Sequence, residues 1–277
     1  MEIVLRSNNI WKGSFFLLFG LKGLSIDNNL ISLEELKDMD TSKIYISLDK
    51  NIFNDDLSFL EQALLFLNDL KVRGIFFYDL AVLSLSKKLK IDIPLIWNQN
   101  FLVTNYRTCN YYKKEGVKGA VISSEITIDE IVNISRNIDM DLFVNIFGFQ
   151  LMAVSKRLLL SSYFDYVNES NEDIYHYMSE RTGRYGVIEN DYGTKFISKD
   201  IFNGIRYINR LKDAGIKYII LDDYGIDKDI FDNVLECFNL AINSSTDDEL
   251  LELERKINCL VPTSLGFFDK KTIYKVK

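Results

Sequence analysis

The sequence predicts an α/β protein folded as a (β/α) barrel, with a β-hairpin inserted near residues 175–198. Two observations predict this fold class: six short apolar runs alternate with helical patterns, and one segment replaces that alternation with turn residues. Repeated strand–helix units are typical of a parallel sheet, and five or six of them favour a TIM-like barrel over the alternative, a doubly wound sheet. We expect a single domain over residues 1–277.

Each predicted strand is an apolar run of four to six residues, a length that suits a buried strand. The six runs are residues 43–48, 74–78, 94–97, 119–122, 142–147 and 217–221. Between them, leucines at three- and four-residue spacing follow Asp55-Asp56 and predict a helix with an acidic start. Thr127 and Glu130 have the spacing of a capping box, and Asp200 predicts the start of a helix that ends at Gly215.

The segment 175–198 has the pattern of two extended stretches around two turns. The turns are Thr182-Gly183-Arg184 and Asn190-Asp191-Tyr192-Gly193. Glycine, asparagine and aspartate are common turn residues, so the segment predicts the inserted hairpin. The favoured interpretation of the charges on this hairpin is that they only prevent edge pairing, and the alternative is a local basic edge. The residues concerned are Arg181, Arg184, Lys195 and Lys199.

Composition excludes several function classes. A net charge of −7 argues against general electrostatic binding of nucleic acid, so any RNA contact would be local or supplied by a partner. No apolar run approaches the ~20 residues of a membrane span, and the first residues lack a signal-peptide pattern, so we expect a cytoplasmic protein without membrane contact. Three separated cysteines and the single histidine, His176, predict neither a disulfide framework, nor a metal site, nor a histidine-based hydrolase.

Three stretches of sequence carry a family resemblance. They are W-N-Q-N-F-L-V-T-N at 97–105, G-V-K-G-A-V-I-S-S-E-I-T-I-D-E-I at 116–131 and F-G-F-Q-L-M-A-V-S-K-R-L-L-L-S-S-Y-F at 147–164. Together they resemble the collagenase-like peptidase family U32. The resemblance implies a barrel fold. The better-understood members of this family hydroxylate RNA bases or ubiquinone precursors rather than cut peptides.

Single residues extend the resemblance. Gln99 and Asn105 match a Q-x-n-x-x-N element, Glu125 matches the glutamate of an R-E-L motif, and Ser155 and Arg157 match an S-G-R motif. The further matches are Asp79 at a strand end, Glu189 and Thr194 in an E-x-x-x-G-T element, and Asp222 in a K-I-D/E-G element.

The departures from the family fall where its chemistry would lie. Leu151 and Leu158 stand where relatives have cysteines, and the later C-x-x-x-C segment is missing. Thiolates hold iron–sulfur clusters, so we expect no such cluster and no other cofactor. Lys195 replaces the histidine of the G-T-H element, and Ile220 replaces the lysine of K-I-D/E-G.

The predicted catalytic residues are Glu125, Asp79 and Asp222, because barrel enzymes place carboxylates for acid–base work at the carboxyl ends of strands. The alternative is that these residues cap helices or form salt bridges. The predicted substrate-binding residues are Gln99, Asn105, Ser155, Arg157, Glu189, Thr194 and Lys195. Among them Arg157 suits a carboxylate or phosphate, because its guanidinium can bind such groups in a bidentate manner.

Three functions stay open from the sequence. The first is a component of tRNA or rRNA base modification, working with a paralogous U32 subunit, contacting RNA through that partner and using a small carboxylate-bearing cosubstrate. The second is a hydrolase in which carboxylates activate water. The third is a non-catalytic barrel that binds a small molecule.

Overall fold

The computed structural model describes residues 1–9, 13–170, 175–181 and 183–270. Eight parallel strands form a closed barrel, in which the last strand pairs with both the first and the seventh. The barrel strands are β1 (Glu2–Arg6), β2 (Phe16–Leu21), β4 (Ile44–Leu48), β5 (Gly74–Phe77), β6 (Leu95–Trp97), β7 (Gly119–Ile122), β8 (Asp141–Ser155) and β12 (Tyr218–Asp222). Five further strands are β3 (Leu30–Ile31), β9 (His176–Glu180), β10 (Gly183–Asn190), β11 (Gly193–Asn203) and β13 (Thr263–Ser264).

Helices separate most of the barrel strands, as the alternating pattern predicted. They are α1 (Leu33–Leu36), α2 (Leu57–Leu70), α3 (Leu80–Leu89), α4 (Tyr106–Lys114), α5 (Ile128–Arg136), α6 (Leu159–Val167), α7 (Ile208–Asp213), α8 (Lys228–Asn243) and α9 (Asp247–Leu260). Within the described ranges, none of these helices is long and apolar enough to span a membrane.

The chain divides into two compact units, each made of separate segments. The first contains Met1–Leu5, Gln99–Phe149 and Asp200–Lys277. Its core is aromatic: Phe143 stacks on Tyr218 at 4.4 Å between ring centroids. The second unit contains Arg6–Asn98 and Gln150–Lys199, and its parallel strands β4, β5 and β6 are buried along their whole length.

The predicted fold class is confirmed, and so are the helix starts at Asp55-Asp56 and at Thr127. The Thr127 hydroxyl accepts from the Glu130 amide while the Glu130 carboxylate accepts from the Thr127 amide, which completes the capping box. The insertion is larger than a hairpin, because β9, β10 and β11 form an antiparallel three-stranded meander. Thr182, for which the sequence predicts a turn, lies outside the described residues.

The predicted helix start at Asp200 is wrong. Asp200 lies inside β11, whose last residues pair with β13 through Ile201↔Thr263 and Phe202↔Ser264. This pairing keeps Ile201 and Phe202 in a strand, since tertiary contacts override a weak helix signal. The strand ends at Asn203, whose side chain accepts from the Ile205 amide, and α7 begins only at Ile208.

Two barrel strands, β1 and β2, were missing from the prediction, and β8 is longer than predicted. In β8, Gly148 has a positive φ of 118°, and a Cβ there would lie 2.8 Å from the backbone oxygen of Asp222. Only glycine allows so close an approach of the two strands. Gly148 therefore has a packing role.

Candidate functional site

A buried cluster of four charged side chains is the most distinctive polar feature of the second unit. Arg6 is the last residue of β1, and Asp49 directly follows β4, so both lie at the carboxyl ends of barrel strands. Asp27 belongs to the loop after β2, and Lys195 is the third residue of β11. In barrel enzymes the carboxyl ends of the strands are the face that carries the active site.

Lys195 joins the two carboxylates. Its Nζ donates to Asp27 Oδ1 at 2.7 Å and also to Asp49 Oδ2, and the lysine is only 4% exposed. Asp49 Oδ1 accepts from the Ser25 hydroxyl at 2.6 Å and from the Ile26 amide at 2.9 Å. Arg6 Nε lies 3.8 Å from Asp27 Oδ2. The cluster therefore contains two cations and two carboxylates, so its formal charges cancel.

Two members of this cluster, Asp27 and Lys195, keep their charges at neutral pH. Burial alone would raise the pKa of Asp27, but the charges of Arg6 and Lys195 outweigh burial and hold that pKa well below its ordinary range. Burial would likewise lower the pKa of Lys195, but Asp27 and Asp49 raise it. A lysine that keeps its proton cannot act as a general base, and the contacts of Lys195 show it holding the carboxylates of Asp27 and Asp49.

The predicted residues Glu189 and Thr194 hold the start of helix α6. Glu189 accepts from the amides of Leu160 and Ser161 at 2.7 and 2.9 Å. Thr194 Oγ1 lies 2.6 Å from the Glu189 carboxylate and accepts from the Leu159 amide. These bonds take the place of a local cap, because Leu158 at the N-cap position provides no side-chain hydrogen bond.

Hydrogen bonds fix the backbone of the segment Ser155-Lys156-Arg157, while the side chain of Arg157 stays available for a ligand. The Ser155 hydroxyl accepts from the Arg157 amide at 3.1 Å, and the Arg157 carbonyl oxygen lies 2.7 Å from Thr194 Oγ1. A side chain at Gly193 would collide with the Ser155 backbone oxygen. The Arg157 guanidinium is exposed and has no hydrogen bond or ion pair within the described residues, so it can accept an anionic ligand.

Asp79 has the capping role that the sequence left as its alternative. One carboxylate oxygen accepts from the Ala81 amide at 2.8 Å at the start of α3, and the other accepts from the Ile52 amide at 3.0 Å. Both oxygens are therefore engaged with backbone donors.

The remaining predicted residues lie in the first unit, each after or at the end of a barrel strand. Gln99 follows β6, Glu125 follows β7 and Asp222 ends β12. The Glu125 side chain is exposed, and its carboxylate has no partner in the described part of the chain. Asp222 accepts from the Tyr224 amide, and Asn105 caps α4 by accepting from the Thr108 amide at 2.9 Å. A catalytic role for these carboxylates stays a prediction.

Sequence reasoning missed Arg6, Asp27 and Asp49 as site residues, and both of its interpretations of the hairpin charges put Lys195 on the surface. That placement is wrong, because Lys195 is buried against carboxylates 146 and 168 residues away along the chain. The position of Asp49 immediately after a predicted strand was the one local signal for the cluster. Its pairing with Lys195 is a tertiary contact that no short motif reveals.

The residues present do not fit the iron–sulfur cluster that the family resemblance implies. Leu151 and Leu158 offer no thiolate, and the three cysteines of the chain lie in α4, α8 and α9. Cys109 and Cys237 are buried, and burial raises the pKa of the Cys109 thiol to about 11, so it stays protonated at neutral pH. A four-thiolate site cannot be built from this set.

Comparison with known proteins gives a family model and several relatives. Residues 22–270 match the model of Peptidase family U32. The chain is 26% identical over 260 residues to tRNA hydroxylation protein P2 of Bacillus subtilis, covering 87% of this chain and 84% of that protein.

Shorter similarities link the chain to other relatives. It is 24% identical over 122 residues to tRNA hydroxylation protein P1 of the same organism, covering 44% of this chain and 29% of that protein. It is 29% identical over 126 residues to an uncharacterized protease of Methanocaldococcus jannaschii, covering 44% of this chain and 30% of that protein. Because the family model spans most of the sequence, the chain belongs to peptidase family U32.

Proposed function

We propose that this protein is a component of a tRNA hydroxylation system and works in the cytoplasm. The observation that carries the proposal is the similarity to tRNA hydroxylation protein P2, which extends over most of both chains. Similarity over such a length includes the barrel and the meander rather than one shared motif.

In this proposal the buried cluster is the preorganised part of the site. Lys195 is a fixed cation at the position where the family pattern has histidine. It holds the carboxylates of Asp27 and Asp49 in place and cannot exchange a proton at neutral pH. Arg157 is the exposed cation proposed to bind a carboxylate or phosphate, and Glu125 is the free carboxylate proposed for catalysis. The hydrolase alternative has less support, because the carboxylate of Asp79 is occupied by backbone amides.

We further propose a paralogous partner. Bacillus subtilis has two relatives whose names differ only as P1 and P2, which supports a system of paired paralogues. This chain lacks the thiolates for a four-cysteine iron–sulfur cluster. A paralogous partner that has the family cysteines would then hold the cluster, which also supports pairing. The net charge of −7 also favours a shared RNA contact.

The test is mass spectrometry of nucleosides from total tRNA, in a strain that lacks this gene. We expect a hydroxylated nucleoside to disappear and to return when the wild-type gene is restored. Unchanged tRNA hydroxylation in the deletion strain would contradict the proposal.

Complementation of that strain by variants tests the site. Arg157→Lys is expected to fail, because lysine keeps the charge but loses the planar fork of donors. Glu125→Gln keeps the size of the side chain and removes its charge. Loss of hydroxylation with this variant would support catalysis, and full complementation would support a positioning or partner role. A matched control is Arg255→Lys, which alters an exposed arginine in helix α9 that has no proposed role.

A further inference from the structure

The outer part of the meander carries an exposed arginine–tyrosine pair. In the antiparallel register, Arg184 of β10 lies opposite Ser179 of β9, and Tyr177 lies opposite Gly186. Side chains two residues apart on a strand share a face, so Tyr177 and Arg184 are diagonal neighbours on one face of the sheet. The guanidinium carbon of Arg184 lies 4.5 Å from the centre of the Tyr177 ring, well within the range of a cation–π contact.

Both side chains of this pair are exposed and can contact a ligand. Tyr177 is 50% exposed, and Arg184 is exposed as well. Neither Arg184 nor the exposed Arg181 has a carboxylate partner among the described residues. Other exposed cations do have such partners, for example Lys113 with Asp139 and Lys217 with Asp141. In a chain of net charge −7, Arg184 beside the exposed ring and Arg181, the residue after β9, supply two guanidinium groups that can bind an anion.

The opposite face of the meander differs in chemistry. There, an open groove of about 510 Å³ is lined by apolar side chains and one carboxylate. Its lining residues are Met152, Ala153, Met178, Glu180, Tyr185 and Phe196. The alternation of side chains along β9 and β10 therefore separates an apolar face from the face of the arginine–tyrosine pair.

We propose that Tyr177, Arg184 and Arg181 form a contact surface for an unpaired segment of RNA. A base can stack on the exposed ring or on the guanidinium plane, and the guanidinium donors suit phosphate oxygens. Stacking of splayed bases on aromatic and arginine planes is the usual way in which proteins bind single-stranded RNA. The inference rests on the proposed function, which requires contact with tRNA, and assigns that contact to this chain rather than to its partner alone.

Direct binding tests the surface without any modification activity. Full-length protein is titrated into a fluorescein-labelled RNA hairpin with an unpaired loop, and into the blunt duplex of the same stem. We expect the wild type to prefer the looped RNA. Tyr177→Ala and Arg184→Ala are expected to weaken binding of the looped RNA by about tenfold, within the range of one lost base–aromatic stack. Arg181→Ala is expected to reduce the salt dependence by about one counterion, as for a phosphate contact.

The chain offers a matched control. Arg107 lies 5.8 Å from the centre of the Tyr106 ring in helix α4, so Tyr106→Ala and Arg107→Ala remove the same chemistry from another site. The control variants are expected to bind like the wild type. Tyr177→Phe, which keeps the ring, is expected to bind normally and guards against a loss caused by misfolding.

Equal binding of looped RNA by wild type and Arg184→Ala would overturn the inference, and so would an equal loss in the Arg107→Ala control. Absence of RNA binding by the wild type would also overturn it, as would variants that lose a protein partner while keeping RNA. The proposed function fails through a different result, unchanged tRNA nucleosides in the deletion strain. The two failures can therefore be told apart.

Discussion

At the scale of single residues, Lys195 shows how burial changes the meaning of a charge. A lysine in a predicted hairpin suggests an exposed basic edge, whereas the folded chain encloses it between Asp27 and Asp49. Removing the charge of Lys195 would leave two buried carboxylates without their main counter-ion. The penalty for such an uncompensated charge exceeds the net contribution of the intact pair.

We therefore predict that Lys195→Met lowers the free energy of unfolding by about 3–5 kcal/mol. Urea denaturation followed by circular dichroism measures this change. The matched control is Lys114→Met, because Lys114 is exposed at the end of α4 and its replacement should stay within about 0.5 kcal/mol of the wild type. Equal stability of the two variants would show that the cluster does not hold the meander in place.

Some site residues could be located from the sequence around them, and others could not. Asp79 and Asn105 were recognisable as polar residues before helices, and both are caps. The sequence could place Glu125 and Asp222 at strand ends, since this depends only on where apolar runs stop. It could not find Asp27, because nothing in the loop after β2 signals a partner 168 residues away.

At the scale of elements, the barrel strands were predictable where they are buried on both faces. Runs such as residues 74–77 and 119–122 are continuous apolar stretches, and their observed limits agree closely with the predicted ones. Strand β1 was missed because Glu2 and Arg6 break its apolar run at both ends. The helix expected from Asp200 failed because pairing with β13, which is distant in sequence, keeps that segment extended.

Helix α6 depends on a cap from another element, which leads to a second prediction. Hydrogen bonds hold the pKa of Glu189 below its ordinary value although burial opposes them, so its carboxylate is charged when it accepts from the amides of Leu160 and Ser161. Glu189→Ala should therefore cost about 1–2 kcal/mol and weaken amide exchange protection in the first turn of α6. Hydrogen exchange with mass spectrometry locates the effect.

The control for this prediction is Glu180→Ala in the same meander. The Glu180 carboxylate is exposed and has no hydrogen bond or ion pair within the described ranges, so its loss should not affect α6. If both variants lose the same protection in α6, the cap is not specific to Glu189.

At the scale of the whole molecule, the buried cluster links stability to pH. The pKa of Asp27 is lower in the folded protein than its ordinary value of 3.8, so the cluster's contribution is present above about pH 4 and is lost as the pH falls. The pKa of Lys195 is raised above 10.5, so its contribution is present below that pH and is lost as the pH rises through the folded value. The cluster should therefore stabilise the fold across the whole neutral range.

Asp27→Asn isolates the acid limb of this dependence, because asparagine cannot titrate. The variant should be less stable than the wild type at pH 7, and the gap should be constant between pH 5 and 7, where Asp27 is ionised in both folded and unfolded chains. Below about pH 4 only the unfolded wild type gains this proton, so the gap should narrow by up to about 1.4 kcal/mol per pH unit. Urea denaturation of both proteins in steps from pH 7 to pH 3 measures the gap directly. A gap that stays constant down to pH 3 would mean that Asp27 titrates alike in both states, and the cluster would then not hold its charges as the geometry requires.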